Sequence, residues 1–180
     1  MKGAVFTILQ EMVEEQAGID VWDSLIQSCD LPSKGIYTSA ATYDDDEILQ
    51  LVAKLAEATN TPAPELLKSF GSFLFGKLHA SLPPTVELPD NFFDYMEKVD
   101  SVIHVEVKKL DREAITPEVS VLSRSNTTLT LRYCSARQLC HLAIGLIQGA
   151  ADYFDERISI AMPICTVDGH DHCQLVIDKQ

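Results

Sequence analysis

Basic residues are scarce in this 180-residue chain: 14 Lys and Arg stand against 27 Asp and Glu, a net charge of −13. A nucleic-acid backbone or an anionic membrane surface repels such a chain, so neither is expected as a partner. What remains is a small molecule or another protein. Long apolar runs are also missing. None approaches the roughly 18 residues that a membrane span requires, so no segment is expected to cross a bilayer. The opening Met1-Lys2-Gly3-Ala4-Val5-Phe6-Thr7 is helically spaced in its apolar residues, and Glu11, Glu14 and Glu15 follow. It shows no signal-peptide core or cleavage site. Even-numbered cysteine pairing is absent too: the five cysteines are Cys29, Cys134, Cys140, Cys165 and Cys173. That argues against a secreted disulfide framework and for metal binding or free thiols in a reducing cytoplasm. Repeats and low-complexity tracts are lacking. With 46% hydrophobic and 23% charged residues, the composition is that of a folded globular chain rather than a disordered one. One domain over residues 1–180 is expected.

The first half reads as helices. Val5, Ile8, Leu9, Met12 and Val13 recur at three and four, and Gly18 breaks the pattern. Asp20 is placed to cap a short helix carrying Val21, Trp22, Leu25 and Ile26. Asp44, Asp45, Asp46 and Glu47 precede Ile48, Leu51, Val52 and Leu55. Carboxylates there suit the positive end of a helix dipole. The run lacks the alternating oxygen ligands and central Gly of an EF-hand loop. Pro62 and Pro64 open a helix with Leu66, Leu67, Phe70, Phe73, Leu74 and Leu78 inward, and after a proline loop a further helical segment runs from Phe92 to about Leu110. Beyond Pro117 the period changes to two. Val119 and Val121, then Leu129, Leu131 and Tyr133, alternate around a Ser125-Asn126-Thr127 turn. A helix over about Arg137–Phe154 and two short strands, Arg157–Ala161 and Gln174–Asp178, complete the chain. The order is helices followed by β-β-α-β-β. The fold class is α+β: a helical N-terminal subregion over about 1–60, then a subregion over about 61–180 with an antiparallel sheet and a long helix.

Three features carry chemistry. His104, between Ile103 and Val105, can ligate a metal through one nitrogen while the other is held by a hydrogen bond, or it can be a buried structural histidine. Tyr133, Ser135 and Arg137 stand at i, i+2 and i+4, so on an extended backbone a phenol, a hydroxyl and a guanidinium project from one face. Three donors at the start of a helix suit an acceptor-rich anion. Solvation of a strand end is the alternative. The third feature is the late cluster of Cys140, Cys165, His170, His172 and Cys173. A structural zinc needs about four thiolate or imidazole ligands. Reduced buried thiols are the alternative. His79, His141, Cys29 and Cys134 read as structural.

His104, Pro117 thirteen residues later and the Tyr-x-Ser-x-Arg motif at 133–137 together resemble the haem-binding core of the H-NOX (haem nitric oxide/oxygen binding) family. That family includes the sensor domain of soluble guanylate cyclase. Met1-Lys2-Gly3, Val21-Trp22 and Gly145-Leu146-Ile147-Gln148-Gly149-Ala150 extend the resemblance over essentially the whole chain. It implies haem b between the two halves, with apolar residues of the first half walling the pocket. His104 would be the proximal iron ligand. Tyr133, Ser135 and Arg137 would hold the propionates, and Pro117 would press on the porphyrin. Oxygen-binding members carry a hydrogen-bonding tyrosine on the helix after the motif. Leu142 stands there by spacing, with Leu9 and Leu74 at companion distal positions. The resemblance thus implies a stand-alone bacterial sensor rather than an enzyme, binding nitric oxide (and carbon monoxide) and excluding oxygen. It would signal through release of His104 to a separate protein such as a histidine kinase or a cyclic-di-GMP enzyme.

Asp171-His172-Cys173 resembles the ending of a zinc-containing bacterial subset with a Cys-His-Cys-Cys site. That subset's histidine, three residues before the second cysteine, is Met162 here. Cys140, Cys165 and Cys173 are then three expected zinc ligands, with His170 as the fourth and His172 as its alternative. A zinc–thiol redox module regulating the same kind of partner is the rival function.

Overall fold

The computed structural model describes residues 1–105, 108 and 115–180. Among these the α-helices are α1 (Gly3–Ala17), α2 (Ile19–Ser28), α3 (Asp45–Thr59), α4 (Ala63–Ala80), α5 (Phe92–Lys98) and α6 (Cys140–Tyr153). The strands are β1 (Glu118–Arg124), β2 (Thr128–Cys134), β3 (Ile158–Ile164) and β4 (Cys173–Lys179). They form one antiparallel sheet in the order β1-β2-β4-β3, with α6 as the connection between its two hairpins. The fold is α+β, as the periodicities predict. No helix of the described residues is long and apolar enough to cross a membrane.

Local chemistry explains the boundaries. Gly18 ends α1 at φ 96°, a conformation costly for residues with a Cβ. It also serves as the N-cap of α2, so Asp20 lies inside the first turn and makes no cap bond. The expected Asp20 cap is corrected on that ground: the left-handed glycine starts the new helix two residues earlier. Asp44 caps α3 by accepting from the Asp46 backbone N–H at 3.0 Å. Such a cap contributes about 1 kcal/mol. Glu47, at the end of the same acidic run, is 2% exposed and accepts from the hydroxyls of Ser33 and Tyr37. The helix expected from Arg137 begins at Cys140, because Gln138 adopts φ 54° and breaks the α path. After α5 the chain enters a π-helical turn, Val99–Ile103, and His104 follows in αR conformation. Side-chain periodicity does not announce such turns, which recur at functional sites. The expected continuation of that helix to Leu110 lies outside the described residues.

Two apolar cores result. One joins α1, α2 and α3 through Phe6, Leu9, Met12, Trp22, Leu51 and Leu55, with Phe70 and Leu74 of α4 and Leu142 of α6. The other lies between the sheet and α4, α5 and α6, around Phe92, Leu131, Tyr133, Ile147 and Leu175. Helices α4 and α6 are shared by both, and Leu146 packs against each core. Their contact depends on three glycines, Gly71 of α4 and Gly145 and Gly149 of α6. A Cβ on Gly71 would fall 2.3 Å from the Leu142 carbonyl oxygen, and one on Gly145 would fall 2.1 Å from that of Lys68. Gly76 of α4 has nothing within 4 Å of such a Cβ.

Gly71→Ala or Gly145→Ala should therefore push the helices apart, with a loss of about 1–3 kcal/mol. Gly76→Ala should stabilise the chain by about 0.5–1 kcal/mol through helix propensity. Thermal unfolding of the three variants measures both signs.

Candidate functional site

A cavity of about 210 Å³ opens on the sheet side of α4 and α6. Phe75, Leu78 and His79 of α4, Tyr95 and Met96 of α5, and Ala143, Leu146 and Ile147 of α6 form one part of its wall. Val99, Ile103 and His104 of the π-helical turn and its exit form another, with Pro117, Val119, Leu131 and Tyr133. Helices α1, α2 and α3 contribute none of the lining. The first half, expected to wall the pocket, does so through α4 and the loop after it, while α1, α2 and α3 close a core of their own around Phe6, Tyr37 and Trp22.

His104 presents its imidazole to this cavity. Its Nδ1 stands 3.0 Å from Asp100 Oδ1. A carboxylate only accepts, so Nδ1 carries the proton and Nε2 keeps the lone pair. Burial pushes the His104 pKa below the ordinary imidazole range, and Asp100 works in the opposite direction. The side chain is 14% exposed. The result is a neutral, oriented imidazole whose second nitrogen is free to bind a metal, the pairing found behind metal-bound histidines. Asp100 was not singled out in the sequence. Its separation of four from His104 was the available signal, since such residues share a helix face.

Tyr133 is buried at the cavity edge, and burial raises its phenol pKa, with Ser135 hydrogen-bonded to it and acting the other way. The Ser135 hydroxyl in turn accepts from the Arg137 backbone N–H at 3.3 Å. Strand β2 ends at Cys134, so a turn and not strand alternation places Ser135 and Arg137. The Arg137 guanidinium pairs through Nε with Asp45 Oδ2 at 2.8 Å and donates through Nη1 to the Ile115 carbonyl at 2.8 Å. Asp45 also meets the Met1 ammonium at 2.6 Å. Burial opposes ionisation of Asp45, yet the ammonium and Arg137 hold its carboxyl below the usual range. The motif is therefore brought together at its Tyr133–Ser135 end, while Arg137 ties the sheet half to α3. The expected row of three donors on one face is corrected accordingly.

Leu9, Leu74 and Leu142 are buried in the helical-side core, 1%, 2% and 9% exposed, and do not line the cavity. Leu146 separates them from it and touches both cores. His79, read from sequence as structural, lies on the cavity wall, where Nδ1 is 3.1 Å from the Tyr95 hydroxyl.

The ligand sulfurs of Cys140, Cys165 and Cys173 lie within 4.8 Å of one another. Cys165 Sγ is 3.5 Å from each of the others. All three are buried and unpaired. Burial pushes the Cys140 thiol up to about 12. Burial also opposes ionisation of Cys165, but the Val167 N–H and the two neighbouring thiols hold it below the usual range. The Thr166 N–H donates to Cys173 Sγ at 3.3 Å. Neither expected histidine joins the sulfurs within that distance: His170 is exposed on the turn after Gly169, and His172 is held by Asp171 at 2.6 Å.

The residues fit a haem: an oriented neutral imidazole opens on an apolar cavity with hydroxyl groups at its edge. The comparisons agree. A family model described as haem-NO-binding matches residues 2–162. The H-NOX protein of S. oneidensis in its Fe(II)NO ligation state is 37% identical over 100% of this chain and 99% of its own, with TM-score 0.93. The Fe(II) unliganded H-NOX protein of K. algicida is 29% identical over 100% of this chain and 97% of its own, with TM-score 0.91. The H-NOX protein of T. tengcongensis, 21% identical with TM-score 0.83, shares the fold. With the architecture, the histidine and the cavity in accord, the chain belongs to the haem-NO-binding, or H-NOX, family.

Proposed function

We propose that this haem-based gas sensor binds nitric oxide at ferrous haem b, excludes oxygen, and signals to a separate protein when His104 is released. The observation that carries the reading is the Asp100–His104 pair facing an apolar cavity bordered by Pro117 and Tyr133. A bound haem would be held by His104 and would supply the iron at which the gas binds.

The chain's own residues supply the rest. Asp100 holds the imidazole in the ligating tautomer and raises its basicity. Tyr133 and Ser135 present hydroxyls to the propionate edge, and Pro117 shares the wall with His104. Arg137 is tied to Asp45 of α3, so a propionate would have to compete with that carboxylate for the guanidinium. Oxygen exclusion is supported by Phe75, Leu78, Ala143, Leu146 and Ile147 on the cavity wall, which offer no donor for a polar bound oxygen, with Leu9, Leu74 and Leu142 as further apolar packing behind them. His79 Nδ1 and the Tyr95 hydroxyl are engaged with each other. If His104 were released, the π-helical turn before it, Val99–Ile103, would be the adjoining element able to repack. The receiving protein is of the histidine-kinase or cyclic-di-GMP-enzyme kind, with carbon monoxide as a second gas ligand.

A second reading rests on a separate observation, the three buried sulfurs with backbone N–H donors at Cys165 and Cys173. That arrangement stabilises thiolates and suits a structural zinc, and a thiol-based redox input to the same partner is compatible with it.

Reduced, haem-loaded protein should keep a five-coordinate ferrous spectrum in air and change on addition of nitric oxide. A stable oxy spectrum would defeat the oxygen-exclusion reading. His104→Gly should lose iron ligation and regain it with added imidazole; an unaltered Soret band and gas response in that variant would end the proposal. Asp100→Asn should weaken the iron–histidine bond, read as a lower iron–histidine stretching frequency by resonance Raman, with the fold intact.

A further inference from the structure

We propose that His141 is the fourth ligand of the metal held by Cys140, Cys165 and Cys173; this rests on the metal reading of the thiol cluster given above. The three sulfurs form a centre with no fourth partner in place. Among the described residues, no imidazole or carboxylate atom lies within 4.8 Å of all of them. The sulfurs are 0–2% exposed, so solvent has poor access to complete the shell. Zinc strongly prefers four ligands, and three thiolates alone would leave a buried excess of negative charge.

Three candidates are poorly placed. His172 is engaged with Asp171, and His170 is exposed on its turn. Met162 lies on β3, half-buried against the sheet-side core, and offers a soft thioether instead of an imidazole. His141 differs. It follows Cys140 at the start of α6, and its Nδ1 is 3.7 Å from Cys140 Sγ. Zinc–sulfur and zinc–nitrogen bonds of about 2.3 and 2.0–2.1 Å at a tetrahedral centre separate the two ligand atoms by about 3.6 Å and two sulfurs by about 3.8 Å. The observed 3.5 Å sulfur–sulfur separations are close to the second value, and the 3.7 Å contact sets His141 Nδ1 beside Cys140 Sγ before any side-chain rotation. His141 is half-buried, with the Cys140 contact as its one described hydrogen-bonding partner. Glu65 and Lys68 of α4 face it electrostatically. A rotamer change that carries the ring from the α4 side toward Cys165 and Cys173 breaks no other described hydrogen bond. Closing the shell then pins the first turn of α6, two residues before Leu142.

The test uses the full haem-loaded chain. Zinc content, affinity by chelator competition and the zinc-edge X-ray absorption shell are measured for wild type, His141→Ala, His141→Cys and His170→Ala. Wild type should hold one zinc in a shell of three sulfurs and one nitrogen. His141→Ala should lose at least about 100-fold in affinity, the upper end of what removing an outer-shell partner costs. His141→Cys should restore binding with a four-sulfur shell, which excludes misfolding as the cause of the loss. His170→Ala should match wild type. Retention of zinc by His141→Ala at wild-type affinity, or its loss in His170→Ala, overturns the assignment of His141 alone. Failure of wild type to bind zinc overturns the metal reading and this inference with it.

Discussion

The close contact of α4 with α6 is the constraint on which the rest of the molecule depends. Gly71 and Gly145 let the two backbones approach to a distance that no Cβ would permit. That approach lets both helices serve two cores at once. Leu74 and Leu142 turn toward α1, α2 and α3, while Phe75, Ala143 and Ile147 turn toward the sheet. The cavity exists because the second core is incompletely filled between these helices and the strands. This helix pair is one route from the cavity to the helical half, and Leu146 packs against both cores.

Electrostatics reinforce the same division. In a chain of net charge −13, a half-buried cation finds acceptors readily. Arg137 takes Asp45 of α3 and the Ile115 carbonyl ahead of β1, and so bridges the two halves. The guanidinium is thus a tie between subregions. A ligand carrying carboxylates would act on that tie as well as on its own site. His104 depends on the opposite arrangement, a single carboxylate that orients it and an apolar surround that keeps it neutral.

The thiol cluster lies next to both elements. Cys173 is the cross-strand partner of Tyr133, and Cys140 begins the helix that carries Leu142 and Leu146. Two residues opposed in an antiparallel pair have Cβ atoms about 4.5–5.5 Å apart. Cys173 of the thiol cluster and the cavity-lining Tyr133 thus share one stretch of sheet.

Much of the architecture was legible in the residues. The switch of apolar period from 3.6 to 2 near Pro117 located the helical and sheet halves, and the acidic run at Asp44 marked a helix start that the Asp46 hydrogen bond accounts for. The order of His104, Pro117 and Tyr133–Arg137 indicated the family, because that pattern depends on local spacing alone. Tertiary structure decided what spacing cannot express. The Asp100 partner, the π-helical turn and the turn of Arg137 toward Asp45 arise from long-range packing and charge. The burial of Leu9 and Leu74 away from the cavity depends on which helix faces meet, and the convergence of three thiols depends on strand register. Periodicity determines which faces of an element are apolar; the partner each face meets is settled only when distant segments close-pack.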